Sequence, residues 1–183
     1  MECPVPNTSS KAARARSLCE KGSWPDVLAL AESWRAEKPD DAKAWFYCGA
    51  ALAAMGRLVE ADTAYRRSLA LDPADVKAWN NLAKLSFEGL NRPAEATKCL
   101  QRLLEIDSRN ALAWANLASL NGQLGRHAEA MTCAERALAI DPHMALAQLI
   151  RARAAQGLGR PEILREASAA LARMPPEKFG RPN

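Results

Sequence analysis

Histidine and cysteine are the side chains best suited to nucleophilic, acid–base or metal chemistry, and this chain places them too sparsely for any of the three. Its two histidines, His127 and His143, fit no His-x3-His spacing. The five cysteines at positions 3, 19, 48, 99 and 133 include no Cys-x-x-Cys pair. Zinc sites need such clustered ligands, and a nucleophile needs a base within reach. No glycine-rich phosphate loop is present, and Gly56, Gly125 and Gly159, each followed by Arg, read as turns. Asp72, Asp107 and Asp141 recur at helix ends as turn formers, not metal ligands. The expectation is a protein that is not an enzyme, with no catalytic residues, no metal and no cofactor.

What does recur with chemical regularity is tryptophan. Trp45, Trp79 and Trp114 stand 34 and then 35 residues apart. The runs that follow are Trp45-Phe-Tyr-Cys-Gly-Ala-Ala-Leu52, Trp79-Asn-Asn-Leu-Ala-Lys-Leu-Ser86 and Trp114-Ala-Asn-Leu-Ala-Ser-Leu-Asn121. After a turn each continues as Ala61-x3-Tyr65, Ala96-x3-Leu100 or Ala130-x3-Ala134. Each closes on Leu71-Asp72-Pro73, Ile106-Asp107-Ser108 or Ile140-Asp141-Pro142. Trp45, Cys48, Gly49 and Leu52 fall at helical spacing, as do Leu58, Ala61, Ala64, Tyr65, Ser68 and Leu69, so each unit reads as two antiparallel helices. A period of this size means stacked copies whose apolar faces are covered by their neighbours. Cys48 occupies a core position and acts as a small hydrophobe, and the three tryptophans read as packing residues between helices.

The pattern resembles the tetratricopeptide repeat, W-x2-L-G-x2-Y…A-x3-F…P. Ala83 and Ala118 replace its Gly, Ser86 and Asn121 its aromatic, and Ser108 its Pro. The resemblance implies an all-α, right-handed α-solenoid of about five helix-turn-helix units, the outer two degenerate. The units fall at about 8–41, 42–75, 76–110, 111–144 and 145–174, between tails at 1–7 and 175–183. Lys11 and Gln148 take the Trp position in the outer copies, as suits repeats that face water on one side. Trp24 and Trp34 are expected to help close the first unit. The third unit has one extra residue before its second helix, expected in the loop Glu88-Gly-Leu-Asn-Arg-Pro93, since loops absorb insertions most easily.

By the same resemblance, the first helix of each unit lines a concave groove. The groove register supplies Lys43, Phe46, Tyr47, Ala50 and Ala53, then Lys77, Asn80, Asn81, Lys84, Phe87 and Glu88, then Leu112, Ala115, Asn116, Ser119 and Gln123, with Arg16 and Arg153 from the ends. Of these, Lys43, Phe46, Tyr47, Lys77, Asn80, Asn81, Lys84, Phe87, Asn116 and Ser119 are the candidate partner-binding residues. Asparagine can both donate to and accept from an extended backbone, lysine attracts carboxylates, and the aromatics offer an apolar anchor. Asn81 and Asn116 look like a short asparagine ladder of the kind seen in O-linked GlcNAc transferases. The carboxylate-clamp pattern of heat-shock co-chaperones is matched poorly.

The function expected is an adaptor or scaffold that binds a protein or an extended acidic and apolar peptide. The alternative is a self-assembling structural or chaperone-like module, which leaves homo-oligomers open. A net charge of +4 is too mild for a nucleic-acid footprint, so no nucleic-acid partner is expected. The first ten residues lack an apolar secretory core, and no stretch suits membrane insertion. A cytoplasmic location with reduced thiols follows as the expectation.

Overall fold

The computed structural model describes residues 8–173, so the two tails, Cys3 and Met174 lie outside the described residues. Alanine governs how these helices meet. Ala44, Ala51, Ala61, Ala78, Ala113, Ala130, Ala147 and Ala167 are fully buried, and so small a side chain lets helix backbones approach closely. The described chain is all α: α1 Thr8–Glu20, α2 Trp24–Glu37, α3 Ala42–Ala54, α4 Leu58–Leu71, α5 Val76–Lys84, α6 Pro93–Ile106, α7 Ala111–Gln123, α8 His127–Ile140, α9 Ala145–Gly157 and α10 Pro161–Ala172. No strand occurs among the described residues. None of their helices is long and apolar enough to cross a membrane. The chain divides into two compact units at Cys99/Leu100, within α6. In the first unit α2 packs on α3 and α3 on α4; in the second α7 packs on α8, α8 on α9 and α9 on α10. These neighbour-to-neighbour contacts place the chain in the α-solenoid class.

Start and stop signals repeat with the period. Asp41, Asp75 and Asn110 each cap a first helix, accepting from Lys43 N at 3.0 Å, Lys77 N at 2.8 Å and Ala113 N at 3.0 Å. Asp72, Asp107 and Asp141 accept from the backbone N–H two residues on, as turn-forming aspartates do. Within a unit, Gly22, Gly56, Gly125 and Gly159 all take positive φ. Asn91 stands at the same register, at φ 52, where any other residue with a Cβ pays a steric cost.

The extra residue of the third unit is not confined to the loop, as the sequence had suggested. It opens a π-helical turn, Leu85–Gly89, that continues α5, with Leu90 N donating to Leu85 O at 2.9 Å. Elsewhere the closing bond spans five residues, as from Arg57 N to Leu52 O and from Arg126 N to Asn121 O. Here it runs from Arg92 N to Ser86 O and spans six. Widening one helical turn keeps the buried positions on both sides in place. Replacing Asn91 by Ala should destabilise by about 1 kcal/mol, and replacing it by Gly should be neutral or stabilising. Urea melts of both variants check this; equal losses for Ala and Gly would show that the asparagine side chain, not the backbone angle, matters.

Candidate functional site

The tryptophans that define the period are half-buried, not fully buried cores. Trp45, Trp79 and Trp114 donate their indole N–H to Pro39 O at 2.7 Å, Pro73 O at 2.9 Å and Ser108 O at 3.0 Å, six residues upstream in each case. Each ring therefore ties down the loop that precedes its helix, and Trp114 also packs on the Ala115–Ala137–Ala147 cluster. The fully buried indole is instead Trp34, in the unit whose tryptophan position holds Lys11. Lys11 is itself buried and pairs with Glu37 of α2.

In the first unit, Lys43, Lys77 and Lys84 are exposed, and Phe46, Asn80, Asn81 and Phe87 are half-buried. Lys84 meets Glu88 one turn later at 3.9 Å, a solvent-exposed pair of small energetic weight. Two of the candidates also serve the interior. Tyr47 stacks on Trp34 at 6.3 Å between centroids, packs on the Ala12–Trp34–Ala44 cluster and donates its hydroxyl to Ala12 O at 3.3 Å. It thereby joins α1, α2 and α3. Asn81 shares a hydrogen bond with the buried Tyr65 hydroxyl, whose ionisation burial pushes far above its usual range. One bond to Tyr65 leaves the rest of the Asn81 amide available. Phe46 touches both tyrosines, edge-on to Tyr47 at 5.3 Å and tilted on Tyr65 at 6.0 Å. Two of the candidate aromatics, Phe46 and Tyr47, thus join Trp34 and Tyr65 in one cluster, while Phe87 lies half-buried in the turn after α5.

A cleft of 220 Å³ in the same unit is lined by Arg35, Trp45, Cys48, Arg57 and Glu60 among others, and by none of the ten candidates. Arg35 lies 4.3 Å over the Trp45 ring, and Arg57 is paired with Glu60. Its charges are met from within. Cys48 is buried, as its core position required, and burial raises its thiol pKa; burial likewise raises Cys19, Cys133 and Cys99, the last to about 11. Protonated sulfurs of this kind are weak nucleophiles. Among the described residues no three His, Cys, Asp or Glu side chains gather as a metal site would need.

In the second unit, Asn116 and Ser119 are half-buried on α7. Ala115, expected on the groove face, is fully buried with Ala137 of α8 and Ala147 of α9, because three helices converge on that methyl group. Ser119 lines a cleft of 170 Å³ with Gly122, Gln123, His127, Ile150, Arg153 and Ala154. Gln123 and Arg153 were in the expected groove register; His127, which opens α8, was not. The signal for it was Gly157: a Cβ there would come within 2.5 Å of the imidazole. Only glycine lets the ring lie so close to α9.

Comparison with known proteins adds the following. Residues 42–85 and 85–145 match models described as tetratricopeptide repeat, together more than half of the chain. No curated protein matches significantly. Among solved structures, MamA aligns at 20% identity with a TM-score of 0.77, covering 90% of each chain. PilF of Pseudomonas aeruginosa aligns at 17% identity with a TM-score of 0.83, covering 95% of this chain and 77% of the other. YrrB, described as a TPR protein with an unusual peptide-binding site, aligns at 17% identity with a TM-score of 0.73, covering 94% and 89%.

Proposed function

Since the chain belongs to the tetratricopeptide repeat family, we propose that it is an adaptor holding an extended partner segment with acidic and apolar side chains. That the fold serves protein interaction is supported by the family and by neighbours such as YrrB. The observation that carries the finer reading is the first-unit face. Exposed Lys43, Lys77 and Lys84 stand on the same helices as the half-buried Phe46 and Phe87. A carboxylate gains from the ammonium groups at the margin, and an apolar anchor gains from the rings. Asn81 supplies a donor and an acceptor for the partner's backbone, and Tyr47 packs edge-on against Phe46. The reading needs no catalytic group, cofactor or nucleic acid, and it fits a cytoplasmic adaptor.

Selection of peptides from a displayed random library on the full chain tests this. The selected peptides should be enriched in Asp or Glu beside a large apolar residue. Replacing Lys77 and Lys84 together by Ala should slow association several-fold and flatten its salt dependence. Phe87→Ala should weaken binding by about 1–2 kcal/mol, through loss of an anchor contact. Selected peptides that bind these variants as tightly as the parent protein would place the binding face elsewhere.

A further inference from the structure

We infer that α7 and α9 of the second unit recognise a peptide carrying one carboxylate and one large aliphatic side chain about 10 Å apart. This deepens the adaptor reading and rests on it. The 170 Å³ cleft contains no acidic residue. Arg153 lines it, and among the described residues no carboxylate pairs with that guanidinium. Arg151, two residues earlier on α9, meets Glu166 at 3.1 Å and Glu135 at 4.0 Å. The two arginines therefore differ: one locks α9 to its neighbours, and the other faces a cleft with its charge unspent. Beside it, Ser119 Oγ accepts from Gln123 Nε2 at 3.4 Å and retains a hydroxyl proton as a donor. A planar guanidinium beside a hydroxyl donor suits a carboxylate.

The same two helix faces are apolar at their other end. Leu146, Leu149 and Arg153 follow the three- and four-residue spacing of one helical face. Leu112 stands on α7 one turn ahead of Asn116 and two ahead of Ser119. Leu112 is 49% exposed, and Leu146 and Leu149 are each 40% exposed. Leucines left this open beside an unpaired cation select against a free inorganic anion, which would use only the cleft. They suit a polypeptide that covers both. Leu146 and Arg153 are seven residues apart on α9, roughly 10 Å along its axis. In an extended left-handed peptide helix, with three residues per turn and a rise of about 3.1 Å, side chains three apart share a face about 9 Å apart. The motif that fits is Leu-x-x-Glu or Leu-x-x-Asp, in either direction.

The test uses the full chain and fluorescent Gly/Ser octapeptides bearing one Leu and one Glu at separations of one to five residues, with Gln in place of Glu as controls. Binding read by anisotropy should peak at a separation of three and fall about tenfold with Gln. Arg153→Glu should lose about tenfold toward the Glu peptide and gain toward its Lys counterpart, a reversal that a merely structural role would not produce. Leu149→Ser should weaken both. Circular dichroism confirms that each variant is folded. If Arg153→Glu binds the Glu peptide unchanged while the Lys77/Lys84 double variant weakens it, the inference fails and the adaptor reading stands. Should no octapeptide show carboxylate-dependent binding and no library peptide be selected, both fall.

Discussion

Replacing Trp34 by Ala is expected to cost about 3–5 kcal/mol of unfolding free energy, the largest loss at any single tryptophan of the chain. Its ring is 1% exposed and lies in the cluster of Ala12 and Ala44, stacked on Tyr47. Its indole N–H also donates to Asp41 Oδ2 at 3.1 Å, while the other carboxylate oxygen of Asp41 caps α3. Truncation therefore opens a cavity, frees Tyr47 and loosens a helix start together. Trp79, half-buried with one bond to a loop carbonyl, should cost about 1–2 kcal/mol when cut to Ala, well below what a fully buried indole would predict. Urea unfolding of the two variants side by side gives the comparison. A loss at Trp79 equal to that at Trp34 would mean that the half-buried tryptophans hold the array more strongly than their burial allows.

Gly49→Val is the second large effect, a destabilisation of about 3 kcal/mol. A Cβ at this position comes within 2.9 Å of Tyr65 Cδ1, 3.0 Å of Cε1 and 3.1 Å of Cγ. The ring has nowhere to go, being buried, flanked by Phe46 and tied through its hydroxyl to Asn81. Better helix propensity returns about 1 kcal/mol to an Ala variant, less to Val, and the clash outweighs either. The double variant Gly49→Val with Tyr65→Leu should recover part of the loss, since the two side chains compete for one space. Simple additivity in that cycle would refute the packing explanation. Because Tyr65 holds Asn81, the same substitution should also disturb the proposed partner face, so Gly49 connects stability with binding.

Most of the architecture was legible because the signals are local and repeat. Glycines at the inner turns, aspartates at the outer ones and tryptophans opening the units each act within a few residues, so a period of 34 reproduces them. The errors arose where a neighbouring helix decides the outcome. Ala115 has a groove register but meets Ala137 and Ala147. Tyr47 shares its register with Asn81, yet it reaches back to Ala12 because Trp34 of the preceding helix offers a stacking surface. The N-caps Asp41, Asp75 and Asn110 stand four residues ahead of each Trp, a local signal of the same kind that the expectations above did not include. The π turn was not readable, because a count of residues fixes an insertion's presence but not whether helix or loop absorbs it. Of the candidate site, the cations and rings of the first unit were visible from register alone. The cleft at Arg153 needed His127, which a different helix contributes.

The widened turn at Leu85–Gly89 also bears on how such a chain changes over generations. The interval from Trp79 to Trp114 is 35 residues, yet Gln148 stands 34 beyond Trp114, so the added residue leaves no trace downstream. A single-codon insertion in a heptad-driven coil or a sheet throws later side chains out of phase unless a local distortion absorbs it. Here one helical turn swallows it, and the lineage keeps its frame. Gene variants that lengthen a repeat by one residue at this joint therefore stay within reach of selection, and the surface around Phe87 can be remodelled by length as well as by substitution.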